Sequence, residues 1–457
     1  MLPEAFARRM KKLLGDEFCN FERALSEPAV KGIRVNEIKT TPETFIKVFE
    51  GGLKPISYLD TGFICDMQSG LGLLAEHHAG MFYSQDPGAM AAISAIDIGK
   101  GEIVLDACSA PGGKSSHVAE KIGDTGFLLA NEYVPKRAKI LVGNFERLGV
   151  KNALVTSLDT ADIASMFHSF FDTVICDAPC SGEGMFRKSE EALTEWSEEN
   201  VLLCAERQIA ILNNCACTVK PGGQLLYSTC TYSVEENEGV VDSFLNTHPD
   251  FYIAPLKSEV VEVTAPGIIP DGAAREELHL TRRFYPHKSL GEGQYIALLK
   301  RRENDSVLPT TLYKDSAKPL NRQETEIISD FIKCNMKSAP KGRFIKQGEG
   351  VALVSNIIPV PSRSVFMPGV MLGEIRGKNF FPHHHFFSAF GKDMLHVENL
   401  KKGDARLEKY LRGEEIETRD GGYTGFCSVA YEGSVIGGGK ISGGKIKNHY
   451  PKGLRTH

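Results

Sequence analysis

The sequence predicts an α/β fold in which a parallel sheet carries helices on both faces. Four apolar runs have the length and pattern of buried strands, and they lie at residues 103–106, 127–132, 153–156 and 172–177. Stretches whose apolar residues recur at helical spacing separate these runs, and the connections between them are short. Alternating strands and helices with short connections form a parallel sheet that is covered on both faces.

Acidic residues end three of these strands, at Asp106, Glu132 and Asp177, and Asp159 follows the third strand closely. Ligands of parallel α/β sheets bind at the carboxyl ends of the strands. Glu132 comes 26 residues after Asp106 (132 − 106), close to the spacing at which such folds place a ribose-binding carboxylate. Each acid alone is better explained as a turn residue or a helix cap. Four in series suit a nucleoside ligand with a ribose and an amine-bearing tail.

A glycine-bearing turn follows the first strand and leads into a predicted helix. Its residues are Cys108, Ser109, Ala110, Pro111, Gly112, Gly113 and Lys114. Glycines let a ligand approach the backbone, and the N-terminus of the helix offers free N–H groups to a carboxylate or phosphate. The spacing matches neither GxGxxG nor GxxxxGK[ST], which disfavours a dinucleotide site and a Walker site.

Two cysteines follow apolar strands directly. Cys180 comes just after Asp177, and Cys230 ends a second apolar run at residues 224–229. Two strand-end cysteines beside an acid indicate covalent chemistry rather than a structural staple. The alternative is a pair of small buried hydrophobic residues, which their position at the strand ends disfavours.

Composition limits the class of protein. The 457 residues exceed one ordinary core, so we expect two to four domains. The hydrophobic fraction of 42% and the charged fraction of 24% are those of a soluble globular protein. No apolar run approaches the ~20 residues of a membrane span, and the N-terminus lacks a signal-peptide pattern. We therefore expect a cytoplasmic protein without a membrane partner. The net charge of −5 still permits a local basic face that binds nucleic acid.

We expect no metal site. The eleven cysteines include no CxxC pair, which disfavours a zinc ribbon and fits thiols kept reduced. The consecutive residues His383, His384 and His385 point in different directions on any regular element, so they rarely converge on one ion.

Smaller units flank the α/β region. The chain begins with an amphipathic helix and short strands, and Asp86 and Pro87 fit the N-cap and first position of a helix that opens the main domain. A polar linker is predicted at 301–323, and a strand-poor stretch with a helix near 324–334 follows. The tail has strand-like residues at 426–431 and only basic charges after Glu432.

Ten basic side chains are candidates for contact with RNA. They belong to the N-terminal module, to the glycine-rich loop after Cys180, to a segment that mixes cations with aromatics, and to the basic tail. These residues are Arg34, Arg187, Lys188, Arg282, Arg283, His287, Lys288, Lys447, Lys452 and Arg455. The alternatives are a packing module for the N-terminal group, an ordinary turn with solvated charges for the segment 282–288 and a disordered tail for the last group. Apolar residues that alternate through the tail disfavour its disorder.

The motifs resemble those of a known family. Residues 106–114, 177–188 and 228–231 are similar to the signatures of the Sun-type RNA cytosine-5 methyltransferases. The opening residues, the segment 34–36 and the tail 447–455 resemble the RsmF-type branch, which modifies 16S ribosomal RNA. The likeness covers nearly the whole chain. It implies a Rossmann-like S-adenosylmethionine-dependent methyltransferase domain, an N-terminal α+β module and a C-terminal PUA-like RNA-binding domain.

The resemblance also implies domain boundaries and a partner. The implied segments are an RNA-recognition module at 1–90, the catalytic domain at 91–300, the linker at 301–323, an intermediate RNA-recognition domain at 324–385 and the PUA-like domain at 386–457. The partner would be 16S rRNA or the small ribosomal subunit, and we expect the protein to act as a monomer.

Individual roles follow from the resemblance. Cys230 would be the nucleophile, Cys180 would help to release the product, and Asp177 would lie between the cofactor and the base. The loop would cradle the methionine end of S-adenosylmethionine, with Glu132 on the ribose and Asp159 at the adenine. The implied cofactor-binding residues are Cys108, Ser109, Ala110, Pro111, Gly112, Gly113, Lys114, Glu132, Asp159 and Asp177.

The chemistry of C5 methylation explains this residue set. Cytosine C5 is a poor nucleophile, but a thiolate that adds to C6 gives C5 enamine character. Protonated Asp177 can hydrogen-bond N3 and stabilise the charge that develops as Cys230 adds. A base must then remove the C5 proton so that the adduct can eliminate, and Cys180 is the candidate. The target base must leave its stack to reach the site.

Other functions remain open. An amino-methyltransferase typically carries an N/D-P-P-Y/F strand end, against which the run from Asp177 to Cys180 argues. DNA cytosine-5 methylation would place the nucleophile in a Pro-Cys dipeptide, here Pro179-Cys180, so the two cysteines could exchange roles. A non-catalytic RNA-binding ribosome-assembly factor would transfer no methyl group, and another RNA such as tRNA could be the substrate.

Overall fold

The structure, a computed structural model, describes residues 2–303 and 313–456. Within these ranges the chain forms four β-sheets, of four, ten, five and five strands. Residues 304–312 of the predicted linker at 301–323 lie outside the described residues. No helix of the described ranges is long and apolar enough to cross a membrane.

The N-terminal part pairs a helical hairpin with an antiparallel sheet of strand order β2-β3-β1-β4. Its elements are α1 (Glu4–Leu14), α2 (Phe18–Ser26), β1 (Lys31–Val35), α3 (Pro42–Val48), β2 (Leu53–Ile56), β3 (Leu59–Cys65), α4 (Ala75–His78) and β4 (Phe82–Ser84). The buried face of α1, which includes Phe6 and Met10, belongs to the same apolar cluster as Phe186, Trp196 and Tyr232 of the central part.

The central part is a doubly wound α/β unit, which confirms the predicted fold class. Its elements are α5 (Pro87–Ser94), β5 (Ile103–Asp106), α6 (Gly113–Ile122), β6 (Phe127–Asn131), α7 (Pro135–Leu148), β7 (Ala153–Thr156), α8 (Thr160–Met166), β8 (Phe171–Asp177), α9 (Glu190–Glu195), α10 (Glu198–Thr218), β9 (Val219–Thr229), α11 (Glu238–Thr247), β10 (Phe251–Ala254), α12 (Ser258–Val261), β11 (Ala265–Pro266), β12 (Arg282–Phe284) and β13 (Gln294–Arg301). Neighbouring strands run in the order β11-β12-β13-β9-β8-β5-β6-β7, and β10 also pairs with β13.

The strands in the middle of this sheet are parallel, and the order in which the chain adds them reverses between β5 and β8. Strands β5, β6 and β7 follow one another outwards, and the chain then returns to place β8 and β9 on the other side of β5. One face of the sheet packs on residues of α5, α6 and α7, and the other packs on residues of α8, α10 and α11. A reversal of this kind opens a crevice at the carboxyl ends of the strands.

Local sequence explains where several of these helices begin. Asp86 caps α5 by accepting a hydrogen bond from the amide of Gly88, and Pro87 occupies the first turn, as predicted. Ser197 caps α10 in the same way through the amide of Asn200. Both caps satisfy amides that have no partner inside the helix.

Two five-stranded sheets follow in the C-terminal part. Their elements are β14 (Lys318–Pro319), α13 (Arg322–Asn335), β15 (Arg343–Gln347), β16 (Gly350–Val354), β17 (Val365–Met367), β18 (Val370–Arg376), β19 (Asn379–Pro382), α14 (His384–Phe390), β20 (Val397–Leu400), α15 (Ala405–Arg412), β21 (Ile416–Glu417), β22 (Gly425–Tyr431), β23 (Ser434–Ser442) and β24 (Lys445–Asn448). The strand orders are β14-β15-β16-β18-β19 and β20-β22-β23-β24-β21. Strand β17 instead joins the central sheet, antiparallel to β7.

The prediction of a strand-poor stretch after residue 324 is wrong. The helix is present as α13, but four strands of the third sheet and β17 lie between residues 343 and 382. These strands are short, and glycines such as Gly350 and Gly373 lie within them. Glycine weakens the strand pattern in a sequence because it has no side chain to pack.

Candidate functional site

The reversal of the central sheet brings the predicted strand-end residues to one edge. Strand β5 ends on Asp106 and neighbours β8, which ends on Asp177. Strand β9 lies on the other side of β8, and Cys230 follows its last residue. Residues far apart in the sequence therefore converge on one crevice.

The two predicted catalytic cysteines are in contact. The Sγ atoms of Cys180 and Cys230 lie 3.3 Å apart, and both thiols are free and partly exposed. The hydrogen bond with Cys230, together with burial, raises the pKa of Cys180 well above that of an ordinary thiol. Cys180 is thereby kept as a thiol next to the sulfur of Cys230.

Asp177 lies between a lysine and a serine. Its Oδ2 atom is 2.8 Å from Nζ of Lys114, and its Oδ1 atom accepts a hydrogen bond of 2.7 Å from Oγ of Ser228. Burial alone would lower the pKa of Lys114, but the charge of Asp177 and its hydrogen bond outweigh burial and raise it. The interaction with Cys230 raises the pKa of Lys114 further. Lys114 therefore holds a positive charge close to both Asp177 and the cysteine pair.

The glycine-bearing turn forms a cradle at the N-terminus of α6. Gly112 adopts a left-handed backbone with φ of 112°, and a Cβ atom on Gly113 would lie 3.0 Å from the ring of Tyr83. Within the described residues, no side chain caps the N-terminus of α6. Its first amides are thus free to bind an anion such as a carboxylate.

Asp106 supports this turn from below. It is fully buried, accepts a hydrogen bond of 2.6 Å from Oγ of Ser115, and accepts one of 3.3 Å from the amide of Cys108. Ser109 is fixed by its amide, which donates to the carbonyl of Asn131. On the outer side, Arg137 donates to the carbonyl of Ala110. The turn is therefore held by the side chain of Arg137 and by the backbone carbonyl of Asn131, two residues that match no short motif in the sequence.

Glu132 and Asp159 follow neighbouring strands and differ in burial. Glu132 follows β6, is buried, accepts a hydrogen bond from the amide of Val134, and lies 3.4 Å from Arg137. Asp159 is exposed and caps α8 through the amide of Ala161. Both carboxylates sit on the edge of the sheet that carries the cradle, with Asp159 farther out.

A second pair of acids, missed from the sequence, lies beneath the cysteines. Glu183 and Glu236 are fully buried and both contact the hydroxyl of Thr231. The signal available was their position, three residues after Cys180 (183 − 180) and six after Cys230 (236 − 230). Acids are common in loops, so that spacing alone could not select them.

Four of the side chains predicted to contact RNA are instead buried, so the prediction is wrong for these four. Arg34 pairs with Glu120, Arg187 with Glu292, Arg283 with Glu238, and His287 lies 3.5 Å from Glu17. Their exposed side-chain fractions are 0, 7, 2 and 6%, in that order. Buried arginines need a carboxylate partner, and each of these has found one within the protein.

The other six cations remain at least partly accessible. Lys188 pairs with Asp86, and Lys288 pairs with Glu17. Arg282 and Arg455 are half-buried and donate to backbone carbonyls. Lys447 and Lys452 are exposed at the end of the chain.

Two of the three consecutive histidines make structural hydrogen bonds. His383 caps α14, and Nε2 of the buried His385 lies 3.0 Å from the carbonyl of Val150. Over residues 2–303 and 313–456, no group of three or more potential ligands is placed to hold a metal ion.

Three family models match successive parts of the chain. Residues 2–87 match the N-terminal domain of 16S rRNA methyltransferase RsmF, residues 93–300 match 16S rRNA methyltransferase RsmB/F, and residues 398–456 match the methyltransferase RsmF PUA domain.

Whole proteins and solved structures show the same similarity. The ribosomal RNA small subunit methyltransferase F of Erwinia tasmaniensis is 32% identical over 99% of this chain and 96% of its own length. A methyltransferase homolog protein from Pyrococcus horikoshii is 28% identical, with a TM-score of 0.57 over 65% of this chain and 95% of its own. NSun6 from Pyrococcus horikoshii, solved with SFG, shares the fold at 21% identity, with a TM-score of 0.56 over 66% of this chain and 99% of its own.

Proposed function

The chain belongs to the RsmF family of 16S rRNA methyltransferases, and from this premise we propose that it methylates C5 of cytidine in 16S rRNA. The methyl donor is S-adenosylmethionine, and the reaction passes through a covalent bond between Cys230 and C6. The observation that carries the proposal is the 3.3 Å contact between the sulfur atoms of Cys180 and Cys230. A thiol pair at a ligand-binding sheet edge is what a reaction with a nucleophile and a separate proton acceptor needs.

The residues of the crevice fit S-adenosylmethionine. The uncapped N-terminus of α6 suits the carboxylate of its amino-acid end. Gly112 and Gly113 let the turn pack closely on Leu141 and Tyr83, because a Cβ atom would come within 2.9 and 3.0 Å of those side chains. We assign Glu132 to the ribose hydroxyls and Asp159 to the adenine, because the two acids follow neighbouring strands at the same edge of the sheet. When bound, the cofactor supplies an electrophilic methyl group.

Cys230 is the proposed nucleophile because of the charged groups that lie beside the two sulfurs. The ammonium of Lys114 places positive charge beside it, whereas Glu236 places negative charge beside Cys180. A positive neighbour favours the reactive thiolate, and a negative neighbour preserves the thiol. The two sulfurs therefore take different roles in the same pocket.

Asp177 and Lys114 form the polar side of the proposed pocket. Their ion pair presents a hydrogen-bonding edge next to Cys230. As the thiolate of Cys230 adds to C6, negative charge develops on the ring, and a fixed cationic donor stabilises that charge. We assign to this pair the contact with the N3 edge of the base.

Cys180 is the proposed acceptor of the C5 proton. After C5 has gained the methyl group, its proton must leave before the bond between Cys230 and C6 can break. Cys180 rests as a thiol, so it must first lose its own proton to solvent. The thiolate so formed is a strong base because the pKa of Cys180 is raised, and it would take the proton from C5. Its 3.3 Å distance from the Cys230 sulfur places it within reach of a base attached there.

The flanking parts are proposed to hold the RNA. We keep the division into segments 1–90, 91–300, 301–323, 324–385 and 386–457, which the three family matches support in outline. The accessible cations are proposed to contact phosphates, because phosphate contacts supply most of the affinity for RNA. These are Lys188, Arg282, Lys288, Lys447, Lys452 and Arg455.

Two cysteine variants test the proposal. The purified full chain is incubated with labelled S-adenosylmethionine and either 16S rRNA, small subunits, tRNA or DNA. We expect methylation of 16S rRNA by the wild type and none by Cys230→Ala. Cys180→Ala is expected to accumulate a protein–RNA adduct that survives a denaturing gel, because release is blocked. Cys334→Ala, at an exposed site in α13, is the matched control.

Several results would contradict the proposal. Full turnover by Cys230→Ala would show that Cys230 is not the nucleophile. An adduct in Cys230→Ala but not in Cys180→Ala would show that Cys180 is the nucleophile and Cys230 the acceptor of the C5 proton. Absence of labelled methyl transfer to any RNA would indicate a binding factor. Bisulfite sequencing of 16S rRNA from a deletion strain identifies the cytidine and its position.

A further inference from the structure

The loops that carry the two cysteines are tied together by a reciprocal pair of buried glutamates. Glu183 belongs to the loop of Cys180, and Glu236 belongs to the loop of Cys230. Each carboxylate bonds to residues that directly follow the cysteine of the other loop. Neither residue belongs to the cofactor cradle or to the pair formed by Asp177 and Lys114.

Glu236 holds the residue after Cys180. Its Oε1 atom accepts from the amide of Ser181 at 2.8 Å and from Nε2 of Gln208 at 2.9 Å. Its Oε2 atom accepts from the hydroxyl of Ser181 at 2.5 Å and lies 3.1 Å from the hydroxyl of Thr231. Ser181 is thus bound through both its backbone and its side chain.

Glu183 holds the residues after Cys230. Its Oε2 atom accepts from the hydroxyl of Thr231 and from the amide of Tyr232, both at 2.9 Å. Its Oε1 atom accepts from Nε1 of Trp196 at 2.9 Å. The hydroxyls of Ser181 and Thr231 also lie 3.1 Å apart, which closes the network between the loops.

We propose that Glu183 and Glu236 are positioning residues that clamp the two loops and so set the distance between the Cys180 and Cys230 sulfurs. This inference rests on the proposed function of those cysteines. Glu236 fixes Cys180 through Ser181, and Glu183 fixes Cys230 through Thr231 and the Tyr232 amide. The two variants are therefore expected to disturb different steps of the reaction.

Burying two carboxylates at this position costs desolvation free energy, which favours a specific role for them. Burial raises the pKa of both Glu183 and Glu236, although their hydrogen bonds oppose this shift. Loop cysteines could be held by apolar packing at lower cost, since buried carboxylates must be fully hydrogen-bonded. Carboxylates give fixed directions to several amide and hydroxyl donors at once, which apolar contacts do not.

The donors around each carboxylate predict how glutamine would behave. The Oε2 atom of Glu236 faces only hydroxyls, which can turn and accept from an amide group. In Glu236→Gln the amide nitrogen can donate to these two hydroxyls, which then act as acceptors. The variant therefore keeps every contact. Both oxygens of Glu183 face N–H groups that cannot reverse, on Trp196 and Tyr232. Glu183→Gln must lose one contact whichever way its amide turns.

The test follows turnover and the covalent adduct in the full chain with 16S rRNA and S-adenosylmethionine. We expect Glu236→Ala to lower turnover about tenfold or more and to accumulate adduct, as Cys180→Ala does. Glu183→Ala is expected to lower turnover to a similar extent with little adduct, because addition itself is slowed. Glu236→Gln should stay within about threefold of the wild type, whereas Glu183→Gln should fall well below it.

Controls separate clamping from unfolding and from failure of the proposed function. Glu235→Gln changes the neighbouring acid, which pairs with Arg9 at a partly exposed site, and should retain turnover. Melting temperature and the KM for S-adenosylmethionine are measured for every variant. Should either alanine variant fail to fold, Ser181→Ala removes one bond of the clamp and should still raise the adduct fraction.

The outcomes are distinct. Inactivity of Glu236→Gln in a folded protein would overturn the clamp, since it would make Glu236 a proton carrier. Unchanged turnover and adduct in both alanine variants would also overturn it. If Cys180→Ala traps no adduct, the proposed function of the cysteines is rejected, and the clamp that rests on it is rejected too. If Cys180→Ala traps adduct and folded Glu236→Ala does not, only the clamp is rejected.

Discussion

Asp106 and Asp177 end adjacent strands of the same sheet but lie in different electrostatic surroundings. Asp177 is partly exposed and pairs with Lys114, in the open crevice. Asp106 is enclosed beneath the cradle, and burial raises its pKa to about 7 from an ordinary value of 3.8. The same residue type at the same strand position is thus a partly exposed ion-pair partner in one case and a buried support for a loop in the other.

The raised pKa of Asp106 predicts a dependence of stability on pH. Between about pH 4 and 7 the native state binds more protons at Asp106 than the unfolded chain, whose pKa stays near 3.8. The contribution of this group to the free energy of unfolding is therefore full below about pH 4 and is lost as the pH rises to about 7. Asp106→Asn does not ionise, so its stability relative to the wild type should rise across this window.

Asparagine suits this test because the site can accept it. Its oxygen keeps the bond from the Cys108 amide, and the Ser115 hydroxyl can turn to the carbonyl of Ser109, 3.3 Å away. Urea unfolding of both proteins at several pH values measures the difference. A difference that does not change between pH 4 and 7 would show that Asp106 ionises normally in the folded protein.

At the scale of elements, strand β1 of the N-terminal sheet is fastened to helix α6 behind the cradle. Arg34 on β1 pairs with Glu120 on α6 and donates to the hydroxyl of Ser116 at 2.6 Å. It also donates to the carbonyl of Gly113, in the cradle itself. The arginine predicted to contact RNA therefore joins two parts of the protein at the proposed cofactor site.

We predict that Arg34→Met lowers the free energy of unfolding by about 3–5 kcal/mol, because Glu120 would be left buried without its partner. Binding of S-adenosylmethionine should weaken as well, since the Gly113 carbonyl loses a donor. Chemical denaturation and calorimetric titration measure the two effects. Arg8→Met, at an exposed position of α1, is the control. Unchanged stability together with weaker RNA binding would restore the original prediction.

Over the whole molecule, the first and last sheets share one hydrophobic core. Residues of the N-terminal sheet such as Val35 and Phe82 belong to the same buried cluster as Leu400 and Tyr450 near the end of the chain. Polar contacts cross the same interface, including Tyr431 to Glu76 at 3.0 Å. We infer that the two proposed RNA-binding ends of the chain form one continuous body.

Tyr431→Phe tests this coupling between the two ends of the chain. The buried carboxylate of Glu76 would lose its donor, at a cost of about 1–3 kcal/mol. If the ends unfold together, proteolysis of both should speed up, although the substitution lies in one of them. Tyr133→Phe, at an exposed position, should change nothing. Faster cleavage confined to the C-terminal part would show that the ends unfold separately.

Much of the catalytic sheet was predictable because strand patterns and strand ends are local properties. The predicted strands correspond to β5, β6, β7 and β8, and the cap of α5 by Asp86 is as expected. The third sheet was missed because its strands are short and carry glycines. The burial of Arg34 was missed because its partner Glu120 lies 86 residues away in the chain.

The sequence by itself determined the fold class, the family and the two cysteines at strand ends, because each is carried by residues that are close together in the chain. Only the tertiary structure decided which cations are accessible, that Lys114 faces Asp177, and that Glu183 and Glu236 cross between the cysteine loops. These are contacts between residues far apart in sequence. The physical reason is that burial, and the pairing of charges that burial requires, depends on the packing of the whole chain.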